Sequence, residues 1–145
     1  MGTGATISNC INKGDIEASS KGGGICGWSL NSSDSILNCI NLGKVTGSGT
    51  STTLGAIVAT NSGNVKNTYY LIGTAAQAID GSSVASDVAA QFDTNLKTTN
   101  TLTVEGTKSN NLIDLLNAWV DANNNSGAEQ YLKWKIVDGK PALVY

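Results

Sequence analysis

Three carboxylates, Asp15, Glu17 and Asp34, stand near the start of the chain. Two carboxylates facing each other across a sugar linkage are what glycoside hydrolysis requires, so this group is the first candidate for chemistry. Lys44 and Thr46 occupy the positions that correspond to Asp15 and Glu17 one repeat later. The group does not recur, and the simpler reading is a solvated rim. Other catalytic parts are scarce. The chain has no His and no Arg, its nine Lys are scattered, and its net charge is −2. His-based triads and cationic clamps lack their members, and so does the clustered basic surface that binds nucleic acid. Asp121, Asn123 and Asn125 have the spacing of the first calcium-loop ligands. Ser126 and Leu132 stand where such a loop needs Gly and a bidentate Glu, so the segment reads as the turn that ends a helix. The stretch GSGTSTT, residues 47–53, lacks the Lys of a phosphate loop.

Cysteine and aromatic side chains complete the candidates. Cys10, Cys26 and Cys39 are odd in number and close no disulfide framework. Cys10 and Cys39 hold equivalent repeat positions, so they are expected one above the other. Two readings stay open: buried free thiols acting as small hydrophobes, or a disulfide between successive repeats, which strict stacking makes geometrically demanding. No ligand spacing suggests zinc, and no cofactor is implied. Trp28, Tyr69, Tyr70, Trp119, Trp134 and Tyr145 are the aromatics that could stack on a sugar. Trp119 and Trp134 are expected to fill a core. Trp28, Tyr69 and Tyr70 are the candidate ligand platform, with shielding of strand edges as the alternative.

These residues sit on a repeat. ISNCINKGDI at residues 7–16 returns as ILNCINLGKV at residues 36–45, and a third copy, VKNTYYLIGT, begins at Val65. In this alignment Asn9, Asn38 and Asn67 coincide, as do Cys10, Cys39 and Thr68, and Gly14 and Gly43. A fixed short period signals units that cannot bury their own apolar face and so stack on one another. Asn tolerates the left-handed backbone of a tight corner and can bond its neighbour, so a stacked Asn ladder is expected. Gly14 and Gly43 are expected at a second corner or bulge. A further strand is expected in GGGICGWS and in LGAIVATN. Gly23 and Gly55 are 32 residues apart rather than 29, which places a three-residue insertion in the polar loop VTGSGTSTT.

The series NCINKGDI, GGICGWS and NCINLGKV resembles the GLUG-type repeats of bacterial cell-surface and secreted proteins. Those units read Asn-Cys-x-Asn-x-Gly followed by a Gly-Gly-hydrophobic-hydrophobic-Gly stretch, here Gly23-Gly24-Ile25-Cys26-Gly27. The second copy, Gly55-Ala56-Ile57-Val58-Ala59, has lost two glycines, and the third has lost the Cys and the Gly-Gly motif. The resemblance covers about the first 80 residues and implies an extracellular or cell-surface location and no catalytic residue. The chain starts directly in a repeat, with no visible signal peptide, so a longer protein with upstream domains is expected.

Beyond Gly81 the period stops. SDVAAQFDTNL, residues 86–96, has a Ser cap and helical spacing of apolar residues, which predicts a short helix. TLTVE alternates like a strand. In SNNLIDLLNAWVDANN, Leu112, Ile113, Leu115, Leu116, Trp119 and Val120 make one helical face, with Asn110 or Asn111 as its cap. YLKWKIVDGKPALVY predicts a hairpin turning at Asp138-Gly139. A helix followed by such a hairpin also resembles the tail that closes arrays of this bacterial type. The fold expected is mainly β: a short parallel β-solenoid over residues 1–81 and a small α/β cap over 82–145, with a compact β-sandwich or β-roll as the alternative. The function expected is a non-catalytic structural or adhesive module, whose partners are a glycan or a surface protein. A carbohydrate-binding module and, third, a glycan-active enzyme are the other readings. No apolar run approaches the roughly 20 residues of a membrane span.

Overall fold

A computed structural model describes residues 3–29, 31–80, 88–124 and 131–144. Among the described residues the fold is mainly β, with one helix, several sheets and no closed barrel. Among the described residues no helix is long and apolar enough to cross a membrane.

The first pass of the chain makes five short strands: β1 (Thr6–Ser8), β2 (Ile11–Asn12), β3 (Ile16–Ala18), β4 (Lys21–Gly23) and β5 (Cys26–Ser29). The second pass repeats them as β6 (Ser35–Leu37), β7 (Ile40–Asn41), β8 (Val45–Gly47), β9 (Thr53–Gly55) and β10 (Val58–Asn61). Each first-pass strand pairs in parallel with its counterpart: Ile7 with Ile36, Ile11 with Ile40, Ile16 with Val45, Gly23 with Gly55 and Trp28 with Thr60. The pairing offset is therefore 29, then 32 after the inserted loop. A third pass begins with β11 (Asn64–Lys66), where Val65 lies beside Ile36, and β12 (Thr68–Leu71), where Tyr69 lies beside Ile40. Parallel strands cannot exchange tight hairpins. Each strand is therefore separated from its parallel partner by the strands that lie between them in the chain.

The corners are where sequence expectation and structure meet most closely. Asn9, Asn38 and Asn67 all have left-handed backbone, with φ of 52°, 51° and 50°. Gly14 and Gly43 do not need it. A Cβ on Gly43 would sit 1.9 Å from the carbonyl oxygen of Gly14 in the pass beside it. Gly43 lets the backbones approach, whereas a Cβ on Gly14 would meet only the Asn12 side chain at 3.9 Å; neither glycine bends the chain backwards.

The expected helix at residues 86–96 is corrected. Gly81 and Ser86 lie outside the described residues, and Ala89–Phe92 form strand β13, paired in parallel with β12 from Thr68↔Ala89 to Leu71↔Phe92. The apolar residues fit either period over so short a stretch. The free edge of β12 decides, because pairing satisfies a row of backbone groups that would otherwise be left open. β14 (Lys97–Val104) then turns back antiparallel at Phe92↔Thr98 and pairs with β15 (Thr107–Asn111). One six-stranded sheet results, in the order β15-β14-β13-β12-β7-β2.

Helix α1 (Leu112–Asn124) follows. Asn111 accepts from the Ile113 N–H and caps it. Leu112, Leu115, Leu116, Trp119 and Val120 are buried, each stabilising by about 1.5–3 kcal/mol on an area basis. β16 (Lys133–Val137) and β17 (Lys140–Val144) make the expected hairpin, with Asp138 and Gly139 at φ of 51° and 74°. Two cores result. One joins Ile40, Tyr69 and Phe92 to α1 and Trp134. The other, inside the stacked passes, gathers Ile36, Cys39, Ile57, Val58, Val65 and Tyr70.

Candidate functional site

The three candidate platform aromatics do not share a surface. Trp28 is 47% exposed on β5, whereas Tyr69 and Tyr70 are 1% and 8% exposed on β12. β12 lies between β7 and β13, and successive side chains of a strand point to opposite faces. Tyr69 therefore enters the core under α1 and Tyr70 the core of the passes. Burial pushes the phenols of both tyrosines up, with a Gln91 hydrogen bond opposing it at Tyr70. An exposed platform that includes them is corrected: a strand with neighbours on both edges and cores on both faces has no exposed side left.

Trp28 keeps a surface. The Lys21 ammonium lies 4.6 Å from its ring centroid and donates to Thr60 Oγ1 at 2.8 Å. Thr60 is the register partner of Trp28. An indole, an ammonium and a hydroxyl are thus held together on the outside of the passes by β4, β5 and β10. This combination offers a flat apolar face with polar groups at its edge, which is chemistry suited to a sugar ring.

The carboxylates do not assemble. Asp15 Oδ1 accepts the Lys44 N–H at 2.8 Å, joining the two passes. Asp34 is buried and accepts from the N–H groups of Ala5 and Asn31 and from the Ser29 hydroxyl. Burial would push its carboxyl up, yet these donors hold it below the usual carboxylate range. Glu17 is exposed on β3. Of the calcium-loop residues, Asp121 lies on α1 and pairs with Lys133, Asn123 bonds the Trp119 carbonyl, and Asn125 and Ser126 lie outside the described residues. Among the described residues no three His, Cys, Asp or Glu side chains gather to hold a metal.

Two of the repeat asparagines, Asn9 and Asn38, bond across the passes, and the Oδ1 of Asn38 is buried without a hydrogen-bond partner among the described residues. Asn38 Nδ2 donates to Asn9 Oδ1 at 2.9 Å, and the C-terminal region reaches both: Trp134 Nε1 bonds Asn9 Oδ1, Asn9 Nδ2 bonds the Leu132 carbonyl, and Asn38 Nδ2 also bonds the Leu116 carbonyl. A second ladder runs through the Asn-x-Gly corners. The Asn12 amide brackets the N–H and carbonyl of Gly14, Asn41 does the same for Gly43, and Asn12 Nδ2 bonds Asn41 Oδ1. Asn61 and Gly63 repeat this bracket. The Asn-x-Gly spelling at residues 61–63 was the available signal for it, hidden because it breaks the 29-residue period.

The thiols are free. Cys39 is buried, as expected of a small hydrophobe, but Cys10 is exposed. The register Ser8↔Leu37 and Ile11↔Ile40 brackets the pair and puts Cys10 beside Cys39. A hydrogen bond from the Cys39 thiol favours the Cys10 thiolate and lowers it to about 6, against burial, which raises it. Cys39 is pushed up by the same bond and by burial.

A cavity of about 270 Å³ was not legible in the residues. Lys13, Leu42 and Leu71, which line it, occupy one repeat position in three successive passes, and Phe92, Leu96 and Pro141 close it. The periodicity of residues 13, 42 and 71 was visible; the closing residues come from β13 onward and were not.

The chain matches no protein-family model, and no curated protein or solved structure matches it.

Proposed function

We propose that this chain is a non-catalytic scaffold and adhesion module: a short β-solenoid of GLUG-type repeats, closed by an α/β cap, at the C-terminal end of a longer bacterial surface or secreted protein. The observation that carries the reading is the cross-pass Asn pair, in which Asn38 donates to Asn9 and to the Leu116 carbonyl, while Asn9 donates to the Leu132 carbonyl and accepts from Trp134 Nε1. A polar ladder of this kind fixes the register of stacked units, and the C-terminal elements close on the same ladder. The strands β1 to β5 each have a pairing partner on one side among the described residues. Their other edge is where a further unit of the same period would stack.

Solenoids propagate, because each unit contacts only its neighbours. Inserting a second copy of residues 7–35 ahead of Ile36 tests the architecture. The expected outcome is a cooperatively folded protein with a raised Tm and a longest dimension increased by about 5 Å, one strand spacing, in small-angle scattering. Loss of cooperative folding would count against stacked units.

A carbohydrate-binding module is the second reading, favoured by the Trp28, Lys21 and Thr60 cluster. Multivalent display on a glycan array separates the two. Binding that disappears in a folded Trp28→Ala variant moves the function to glycan recognition at this cluster. Absence of glycan binding at every valency leaves the scaffold role.

A further inference from the structure

We propose that the cavity between the passes and the C-terminal hairpin binds a small aliphatic acid, whose chain fills the apolar interior and whose carboxylate meets the ammoniums of Lys13 and Lys140 at the mouth. This site goes beyond the scaffold role and does not rest on it. Lys13 and Leu42 directly follow β2 and β7, while Leu71 and Phe92 close β12 and β13. These are four neighbouring parallel strands of the six-stranded sheet. The registers Asn12↔Asn41, Asn41↔Tyr70 and Leu71↔Phe92 set the four residues in one row across their C-terminal ends. Side chains alternate along a strand, so Leu71 shares the face of Tyr69. Leu42 and Leu71 pack there against the core that holds α1 and Trp134. The hairpin supplies another wall through Lys140 and Pro141.

The cavity measures about 270 Å³, many times the roughly 30 Å³ share of one water molecule. Packed interiors leave few gaps of that size. Its buried lining is Phe92, Leu96 and Pro141, with Leu42 and Leu71 half-buried beside them. None of these side chains makes a hydrogen bond, so a sugar ring would lose its water without replacement, whereas a hydrocarbon chain loses nothing. The charged groups stand at the rim. Lys13 and Lys140 are exposed and have no ion-pair partner among the described residues. Asp93 is the one acid in the lining. Its Oδ1 is already occupied, accepting the N–H groups of Asn95 and Lys97, both at 2.9 Å.

Two ammoniums against one engaged carboxylate leave a positive mouth on an apolar interior, and charge complementarity selects an anion with a hydrocarbon body. The repeat explains why the charge lies at one end. The position of Lys13 carries Leu42 and Leu71 in the next two passes, so the ammonium appears only at the outer end of the row, after the edge strand β2. The chain supplies most of the affinity. Each methylene fully taken from water strengthens binding by about fourfold. The exposed lysines add less, together about fivefold, because their charges remain in water.

The test is amide NMR of the intact isotope-labelled protein, titrated at about pH 7 with sodium octanoate, hexanoate, acetate, octan-1-ol and octylammonium chloride. Octanoate should give saturable shifts at Leu42, Leu71, Phe92 and Lys140 with a Kd below about 1 mM. Hexanoate should bind about tenfold more weakly, and acetate should not saturate. Octylammonium should bind about tenfold more weakly than octanoate. The double variant Lys13→Gln/Lys140→Gln changes two exposed side chains and keeps their stems. It should weaken octanoate about fivefold and leave octan-1-ol unchanged. Leu71→Trp, which fills the cavity, should abolish binding of both. Absence of saturable shifts at the cavity with octanoate at about 10 mM, tenfold above that Kd, overturns the site without recourse to any variant. Equal affinity for octanoate and octylammonium, or octanoate binding unmoved in the double lysine variant, overturns the assignment of an acid.

Discussion

The stacked passes bury Asn38, Asn41, Ser29 and Asp34 beside Ile36, Ile40 and Cys39, whereas the helix and hairpin bury Leu112, Leu115, Leu116, Val120 and Trp134. The difference lies in where backbone groups find partners. In the passes, short strands end at corners every few residues, and each corner leaves N–H and carbonyl groups that a side chain must satisfy. Asn does so by bracketing a peptide with its amide, at Gly14, Gly43 and Gly63. In the C-terminal region the helix and hairpin satisfy their own backbone, and large apolar side chains are free to make the core. Asn is used there too, but as a joint between elements: Asn117 brackets the backbone of Trp134, and Asn124 that of Tyr131. The same amide chemistry makes corners in one region and fastens the other together.

The largest expected effect breaks the joint between the regions. Trp134 is 1% exposed and donates to Asn9 in the first pass. Trp134→Ala should cost about 3–5 kcal/mol. In urea, the helical and the β circular dichroism signals should lose stability at one common midpoint. Separate midpoints would show that the passes stand without the helix and hairpin.

A pair of glycine variants sharpens the contrast. Gly43→Ala puts a Cβ 1.9 Å from backbone in the adjacent pass, while Gly139→Ala meets nothing within 4 Å and strains only its turn at φ 74°. The expected losses are about 3 kcal/mol for Gly43→Ala and about 1 kcal/mol for Gly139→Ala, read from urea midpoints. Equal losses would mean that the passes yield at this corner as easily as a hairpin turn does.

The smallest effect concerns pH. Burial raises the folded-state pKa of Tyr69 above its unfolded value. The neutral phenol is the form the fold prefers, so this contribution is complete below about pH 10 and is lost as pH rises further. Tyr69→Phe should change Tm little at pH 7 and should lessen the fall in Tm between about pH 10 and 11. An unchanged alkaline limb would indicate that the phenol reaches water in the folded protein.

Legibility followed the range of the interactions. The left-handed corners at Asn9, Asn38 and Asn67, the 29-residue register, the inserted loop and the amphipathic face of α1 were all read from residue order, because each depends on neighbours or on repetition. The fate of Tyr69 and Tyr70 was not, because replacing Ile-Asn by Tyr-Tyr says nothing about what covers β12 on its two faces. The strand at Ala89–Phe92 was hidden for the same reason: its partner is the free edge of β12, 21 residues earlier.

By itself the sequence determined which repeat segments lie side by side and where the chain turns within the repeats and at Asp138-Gly139. Those properties follow from a period, from Asn and Gly conformations and from hydrophobic spacing, all local or repeated. Tertiary structure alone decided which side chains meet solvent. It left Trp28 outside with Lys21 and Thr60, drew both tyrosines inward, and set an exposed Cys10 against a buried Cys39. Exposure depends on what distant elements come to rest against a face. Two equivalent repeat positions can therefore end in opposite environments once a third pass covers one of them.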